Sequence, residues 1–372
     1  MTFHGCATPQ GTERYRNRFA GEIPPEHFRL AQGLRTSSIG LGTYLGNHDA
    51  EADRLYRDAV IRAVELGCNV IDSAINYRFQ RSERSIGGAL AELQSKGIER
   101  EEIILATKGG FIPFDDAPPK DVRAYFEANF VQTGIASFAD VVAGCHCMTP
   151  RYLLNQLDSS LKNLRLDCID IYYVHNPETQ LGKIERSEFN TRLLLAFEAL
   201  EDAVSAGKIR CYGTATWNAY RNAPDAKDYL SLAEVVGLAE KAGGREHHFK
   251  AIQLPLNLGM TEALSNSNQR VKDKTMTILD AAQILGITVM CSASVLQGQL
   301  TRNLPHIISD TFPDLATDAQ KALQFVRSTP GVTTALVGMK QIRHVEENLA
   351  TARIRPAAWE RYSKLFQVSE NN

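Results

Sequence analysis

Four residues of types that can give or hold a proton each follow a short apolar run: Asp72, Tyr77, Lys108 and His175. An isolated tyrosine has a pKa of about 10, but a buried cation beside it stabilises the phenolate and lowers that pKa. Lys108 could supply the cation, and Asp72 would keep it charged because an unpaired ammonium in a dry pocket is costly. His175 could donate a hydrogen bond to a carbonyl oxygen. The set suits reduction of an aldehyde or ketone, with a nicotinamide carrying the hydride.

The apolar runs before these residues must bring the four side chains together. Buried parallel strands read as continuous apolar runs, so residues 69–72, 103–107 and 168–174 are predicted strands. About eight strand-then-helix units alternate along the chain, which favours a closed (β/α)8 TIM barrel, an α/β fold. We therefore expect residues 28–372 to form one barrel domain, preceded by an N-terminal extension, residues 1–27, of irregular structure.

Three loops longer than a barrel needs follow predicted strands, so they lie on the C-terminal face, where barrels of this type have their active sites. They span residues 109–148, 178–189 and 221–228. The first, called the insertion below, is about 40 residues long and rich in aromatic residues, so we predict an ordered lid. Two other local predictions are a helix over residues 271–285 and a helix that Thr149 caps and Pro150 begins.

The composition is that of an ordinary globular protein. Hydrophobic residues make up 44% and charged residues 23%, and a net charge of -2 gives no reason to expect nucleic acid or a membrane surface as a partner. The start of the chain lacks a secretion signal and no apolar run is long enough for a membrane span, so we expect a cytoplasmic protein.

The seven scattered cysteines fit reduced thiols. Cys145, His146 and Cys147 lack a second ligand pair, so we expect a solvent-facing loop and no metal.

A series of short motifs runs through nearly the whole chain. It comprises Gly40-Leu41-Gly42-Thr43, Asn69-Val70-Ile71-Asp72-Ser73-Ala74-Ile75-Asn76-Tyr77, Ala106-Thr107-Lys108, Asp170-Ile171-Tyr172-Tyr173-Val174-His175-Asn176-Pro177, Gly207-Lys208-Ile209-Arg210, Gly338-Met339-Lys340 and Glu346-Glu347-Asn348-Leu349. Taken together, the series resembles that of the aldo-keto reductase family. The resemblance implies a (β/α)8 barrel that binds NADP(H) in extended form, with Tyr77 as the proton donor and Lys108, Asp72 and His175 in the supporting roles described above.

The resemblance also implies a cofactor site, and there this sequence departs from the family. Ala215 and Thr216 replace a Ser-Asn pair that usually holds the nicotinamide carboxamide, and Ser292 replaces an aromatic residue that stacks on the nicotinamide ring. Gln253 matches the family's glutamine, and Lys340 lies where the family often has a basic residue for the ribose 2′-phosphate. The other implied cofactor residues are Gly42, Thr43, Tyr44, Asp72, Val295, Gly298, Met339, His344, Glu347 and Asn348. We expect Tyr44, Phe111 and Trp217 to contact the substrate.

The altered nicotinamide site leaves more than one function open. The leading prediction is an oxidoreductase that interconverts a small-molecule carbonyl and an alcohol, with NADP(H) as the expected cofactor and NAD(H) as the alternative. Without the redox step, the same tyrosine, lysine and histidine could serve an isomerase, lyase or dehydratase by acid/base chemistry alone. A third interpretation is a nucleotide-binding regulatory subunit in which the insertion contacts a partner protein.

Overall fold

A closed barrel of parallel strands forms the centre of the computed structural model, which describes residues 2–366. Met1 and residues 367–372 lie outside the described residues. Residues 367–372 fall within the predicted barrel domain, residues 28–372. The strands in the described part are β1 (Phe28–Ala31), β2 (Leu34–Ser37), β3 (Ile39–Gly42), β4 (Val70–Asp72), β5 (Ile104–Gly109), β6 (Ile169–His175), β7 (Ile209–Ala215), β8 (Phe249–Pro255), β9 (Gln269–Val271), β10 (Lys274–Met276), β11 (Thr288–Ser292) and β12 (Thr334–Gly338).

Helices alternate with the barrel strands along the chain. Those in the described part are α1 (Pro9–Asn17), α2 (Ala50–Glu65), α3 (Arg81–Ser95), α4 (Val122–Phe126), α5 (Pro150–Leu164), α6 (Arg186–Ser205), α7 (Leu232–Gly243), α8 (Glu262–Ser265), α9 (Ile278–Ile284), α10 (His306–Thr311), α11 (Asp318–Ser328), α12 (Ile342–Ala350) and α13 (Trp359–Tyr362). Within residues 2–366, each helix is too short or too polar to span a membrane.

Eight strands close the barrel in the order β11, β12, β3, β4, β5, β6, β7, β8, and every neighbouring pair is parallel. The predicted (β/α)8 TIM barrel is thus confirmed. Every residue of β5 and β6 is buried, as expected for strands covered on both faces. Gly213 in β7 is required by close packing, because a Cβ there would lie 1.9 Å from the Ala251 carbonyl oxygen.

The barrel order explains why the four candidate residues meet. Strands β4, β5 and β6 are neighbours, with Asp72 opposite Ala106 and Lys108 opposite Tyr173 in register. The carboxyl ends of parallel strands share one rim, so Asp72, Lys108 and His175 lie along that rim, and Tyr77 follows closely after β4.

The N-terminal extension is ordered rather than irregular. Residues 9–17 form α1, which Thr8 caps by accepting the Gly11 N–H at 2.9 Å. Tyr15 is completely buried and donates its hydroxyl to the Val64 carbonyl at 2.5 Å, which ties α1 to the end of α2. The helix was not predicted because the segment is polar, although Thr8 followed by Pro9 is a helix-start signal.

Two further local predictions require correction. Residues 271–285 are not one helix: β9 and β10 form an antiparallel hairpin first, and α9 begins only after Thr277, whose side chain caps it. The helix at Pro150 begins where predicted, but the Thr149 hydroxyl makes no capping hydrogen bond to that helix.

The insertion, residues 109–148, folds around a small apolar cluster of its own. Phe126, Phe130, Ala136 and Cys147 pack there against Tyr152 of α5. Phe114, Tyr125 and Phe138 join this aromatic packing at the edges. The insertion is therefore ordered, as predicted.

Candidate active site

A cavity of about 860 Å³ opens at the C-terminal rim of the barrel. Most of the predicted site residues line it: Gly42, Thr43, Tyr44, Asp72, Tyr77, Phe111, His175, Ala215, Thr216, Trp217, Gln253, Ser292, Val295, Gly298, Lys340, His344, Glu347 and Asn348. Lys108 and Met339 are the predicted residues that do not line it. Only Phe111 of the insertion does, so the bulk of the insertion stands beside the cavity rather than over it as a lid.

Lys108 lies behind the cavity wall in a fully buried ion pair. Its Nζ donates to Asp72 Oδ2 at 2.6 Å and to the Ser73 carbonyl at 2.7 Å. The other oxygen, Asp72 Oδ1, accepts the Gln253 amide at 2.8 Å. Burial lowers the pKa of Lys108, and the Asp72 carboxylate opposes that shift. Both charges are therefore held by specific hydrogen bonds, as a buried pair requires.

Tyr77 lies between Lys108 and the open cavity. Lys108 Nζ is 5.0 Å from the centroid of the Tyr77 ring, and the rings of Tyr44 and His175 lie 4.9 Å and 5.8 Å away. Burial, followed by Asp72 and Tyr44, raises the pKa of Tyr77 well above 10. The net direction is opposite to the predicted lowering, because desolvation and the Asp72 carboxylate both favour the neutral phenol. Tyr77 is a neutral phenol that can donate.

His175 ends β6 and is a neutral imidazole. Burial, then Lys108 and His146, lowers its pKa well below 6.5. Its Nδ1 is buried and has no hydrogen-bond partner among residues 2–366, and the same holds for Asn76 Oδ1. Both residues line the cavity. Unpartnered buried polar atoms are costly, so both atoms are candidates for ligand contacts.

The residues predicted to hold the nicotinamide lie together on neighbouring strands. Thr216 donates its backbone N–H to the Gln253 carbonyl at 2.8 Å, and the Ala215 carbonyl accepts the Asn176 N–H at 2.6 Å. The Gln253 side chain donates its amide N–H to Asp72, and the Gln253 side-chain oxygen remains available to a ligand. Ser292 ends β11 on the same rim.

Five of the predicted cofactor residues lie directly after β12 or in α12. Lys340, His344 and Glu347 supply the charged or ionisable groups there, and the buried Asn348 Oδ1 has no partner within the described residues. The Met339 side chain is completely buried in the apolar core and does not line the cavity. A cavity of about 860 Å³ with free amide oxygens and a lysine fits a dinucleotide.

The predicted site residues did not include several residues that line the cavity. Asn76 and Asn176 stand beside Tyr77 and His175 and could have been found by that adjacency. Tyr56 of α2 and Ala319 of α11 also line the cavity, but nothing in their helical spacing distinguishes them from core residues.

Glu178, which the motifs also left out, links two loops of the active face. Its Oε1 accepts the backbone N–H groups of Trp217 and Asn218 at 2.7 Å and 3.3 Å, while the buried Oε2 has no partner in the described part of the chain. Burial raises the pKa of this carboxyl to about 7. Glu178 therefore fixes the backbone that carries Trp217.

The Cys145-His146-Cys147 element is not a solvent-facing loop. His146 and Cys147 are completely buried, and His146 Nε2 lies 2.7 Å from the His175 carbonyl oxygen. Residues 2–366 contain no group of three or more His, Cys, Asp and Glu side chains placed to hold a metal ion.

Comparisons with known proteins agree with this geometry. Residues 38–308 match the model of the aldo/keto reductase family. The aldo-keto reductase yakc [NADP(+)] of Schizosaccharomyces pombe is 24% identical over 85% of this chain and 82% of its own, and the 6-dehydroglucose reductase of Novosphingobium aromaticivorans is 24% identical over 90% and 92%. An aldo-keto reductase from Klebsiella pneumoniae, solved with NADPH, has the same fold with a TM-score of 0.62, 21% identity and coverage of 94% and 98%. The chain belongs to the aldo/keto reductase family.

Proposed function

We propose that this protein is a nicotinamide-dependent oxidoreductase that interconverts a carbonyl and an alcohol, with Tyr77 as the proton donor. The observation that carries the proposal is the buried pair of Lys108 and Asp72 directly behind a neutral Tyr77 that faces the cavity. A phenol beside a held ammonium can release its proton as negative charge develops on a substrate oxygen, because the ammonium stabilises the phenolate. When bound, the nicotinamide supplies or accepts the hydride.

His175 has a positioning role in this proposal. Its low pKa keeps the imidazole neutral, so it orients the substrate carbonyl by a hydrogen bond and does not compete with Tyr77 as the acid. The ring lies 5.8 Å from the Tyr77 ring, centroid to centroid, which places both side chains beside the same part of the cavity.

NADP(H) is the proposed cofactor. Lys340 and the start of α12 would hold the phosphate of the adenosine end, and Gln253 and Thr216 would contact the nicotinamide end. The Schizosaccharomyces relative carries NADP(+) in its name and the Klebsiella structure contains NADPH, which supports the choice. NAD(H) is the alternative that a direct competition between the two nucleotides distinguishes.

An uncharged carbonyl compound is the proposed substrate. The aromatic residues Tyr44, Phe111 and Trp217 line the cavity together with Tyr77, and Asn76 and Asn176 add amide groups. Among residues 2–366, the charged side chains that line the cavity, apart from Asp72 in its pair with Lys108, all come from residues 340–347, on the proposed cofactor side. Because a charged substrate would meet no ion-pair partner near Tyr77, we expect neutral aldehydes to be reduced faster than carboxylate-bearing analogues of equal size.

A cytoplasmic location is proposed from the cysteines. All seven are free thiols in the structure, and most of them are buried. Such thiols are maintained in a reducing compartment.

The decisive experiment measures nucleotide binding and turnover on the wild type and on Tyr77→Phe. Trp217 lines the cavity, so bound NADPH should quench its fluorescence, with Trp217→Phe as the control for the source of the signal. We expect Tyr77→Phe to bind NADPH normally and to lose about 100-fold or more in kcat for carbonyl reduction.

Three outcomes would redirect the proposal. Unchanged turnover in Tyr77→Phe would remove Tyr77 as the acid. Absence of nucleotide binding by the wild type would favour redox-independent acid/base chemistry, and nucleotide binding without turnover of any carbonyl would favour a regulatory subunit.

A further inference from the structure

The chain bends sharply directly after the proton donor. Arg78, Phe79 and Gln80 follow Tyr77 and have φ angles of 47°, 57° and 69°. Left-handed backbone is unfavourable for residues with a side chain, and three such residues in succession persist only if their surroundings hold them. The contacts of residues 78–80 therefore decide where Tyr77 lies.

On one side, Arg78 anchors the bend to the barrel. Its guanidinium is buried, donates to the Asn47 carbonyl at 2.7 Å and pairs with Asp53. It also lies 5.0 Å from the centroid of the Tyr56 ring, which lines the cavity.

On the other side, the bend is held by the first part of the insertion. The Phe79 carbonyl accepts the Asp116 N–H at 3.1 Å, and the Gln80 amide donates to the Phe114 carbonyl at 3.2 Å. The rings of Phe79 and Phe114 stack at 6.3 Å with 29° between their planes. The exposed carboxylates of Asp115 and Asp116 pair with arginines of α3. Such exposed ion pairs contribute little to the free energy of unfolding.

The last part of the insertion contacts the strand that carries His175. Gln180 donates its amide to His146 Nδ1 at 2.9 Å, so the ring proton of the neutral His146 is on Nε2 and is donated to the His175 carbonyl at 2.7 Å. Gly110 allows this approach, because a Cβ at that position would lie 2.7 Å from His146 Nε2. Phe111 packs edge-to-face against both histidines at 5.0 Å and 5.3 Å.

The middle of the insertion connects these two contact regions. The cluster of Phe126, Phe130, Ala136, Cys147 and Tyr152 makes residues 109–148 a packed unit rather than a loose loop. The Cys147 N–H also bonds to the Gly110 carbonyl at 2.9 Å, so the unit begins and ends at the strand end of β5.

We propose that the insertion is a brace that positions Tyr77 and His175 relative to each other, through Phe114 at one end and His146 at the other. This rests on the proposed function, because it assigns the insertion to the proton-transfer step. The insertion contributes only Phe111 to the cavity wall, so its role lies in the alignment of the donor rather than in covering the nucleotide. Phe114 and His146 are thus positioning residues.

The test compares Phe114→Ala and His146→Leu with Phe138→Ala as the matched control. Phe138 also belongs to the insertion but contacts Phe126 and Arg123, and its ring makes no contact with residues 78–80 or His175 among those described. We expect the first two variants to lose about ten-fold or more in kcat, with unchanged Kd for NADPH and an increased solvent isotope effect. His146→Gln, which replaces the ring N–H donor by an amide N–H donor, should recover most of the rate.

A readout independent of turnover separates this proposal from the function itself. In protein with ring-labelled tyrosine, the Tyr77 resonance is assigned from its loss in Tyr77→Phe. Phe114→Ala and His146→Leu should shift or broaden that resonance, and Phe138→Ala should not. A wild type without carbonyl turnover would overturn the proposed function, whereas the resonance would still decide on the brace.

The brace is overturned if Phe114→Ala and His146→Leu match Phe138→Ala in rate and in the Tyr77 resonance. It is equally overturned if their NADPH affinity and kcat fall together with the unfolding midpoint, since that pattern indicates general damage to the fold.

Discussion

The pKa of Tyr77 is raised in this site, so the phenol keeps its proton. The Lys108 ammonium behind it is already paired with Asp72 before a substrate binds. The Lys108 ammonium has Asp72 as its counter-ion and Gln253 holds that carboxylate from the other side. Because the raised pKa keeps Tyr77 neutral in the free site, we expect the phenol to donate only to an acceptor that gains negative charge.

The buried pair gives a prediction that separates stability from chemistry. Lys108→Met leaves the Asp72 carboxylate buried and unpaired, so the free energy of unfolding should fall by about 3–5 kcal/mol. The double variant Asp72→Asn with Lys108→Met should regain much of that loss, because Gln253 can still donate to the Asn oxygen. Neither variant should reduce carbonyls. Urea unfolding and a carbonyl assay check this, and a double variant as unstable as Lys108→Met would contradict the pairing argument.

Ser292 gives a prediction in the opposite direction, a gain of affinity. It lines the cavity where the family usually has a ring that stacks on the nicotinamide. Ser292→Tyr should tighten NADPH binding by about 1 kcal/mol, roughly five-fold in Kd. Ser265→Tyr, on the exposed end of α8, is the control. Unchanged or weaker binding in a folded Ser292→Tyr would place the nicotinamide elsewhere.

At the scale of elements, buried apolar strands could be predicted from the sequence, whereas polar or short elements could not. The runs before Asp72, Lys108 and His175 predicted β4, β5 and β6 to within one or two residues, because both faces of these strands are buried. Residues 271–276 were misassigned because the β9–β10 hairpin is too short to show a period of two before the helical spacing of α9 begins.

The site residues likewise fell into those that could be predicted from the sequence and those that could not. Asp72, Lys108 and His175 could be predicted from their places at strand ends, because the barrel brings those ends together, whereas the cofactor residues were predicted from the family resemblance. The brace contacts of Phe114 and His146, and the cavity positions of Tyr56 and Ala319, depend on how a long loop and two helices pack. Spacing along the chain carries no information about such packing.

Helix α1 supports the barrel at a distance from the chemistry, which makes its energetic role testable. Tyr15→Ala removes a fully buried ring and a hydrogen bond to Val64, so unfolding should become easier by about 3–5 kcal/mol. Tyr15→Phe should cost about 1 kcal/mol. Activity per folded molecule should stay unchanged in both, and a change in kcat at temperatures where the variants are folded would show that α1 affects the site.

For the whole molecule, Glu178 predicts a specific dependence of stability on pH. Burial raises its pKa from 4.5 to about 7 in the folded protein. Between these values the unfolded chain has lost the proton that the folded protein still binds, so this group makes the free energy of unfolding fall as pH rises, by about 3 kcal/mol in total. Above about pH 7 its contribution is constant.

Glu178→Gln isolates this contribution, because other groups titrate equally in both proteins. Relative to the wild type, the variant should gain about 3 kcal/mol in unfolding free energy between pH 4.5 and pH 8. Denaturant unfolding at several pH values measures the difference. Parallel pH profiles would show that the carboxyl ionises in the folded protein as it does in water.

The two-ended attachment of the insertion also bears on how this barrel can be re-engineered. Loops of such barrels are usually treated as exchangeable parts that can be transplanted to change what an enzyme accepts. Here the insertion contacts both the bend after Tyr77 and the carbonyl of His175, so we expect a chimera with a foreign segment to disturb the proposed proton donor. Libraries for new substrates should instead randomise residues 44, 45 and 217 at the mouth and leave residues 109–148 intact.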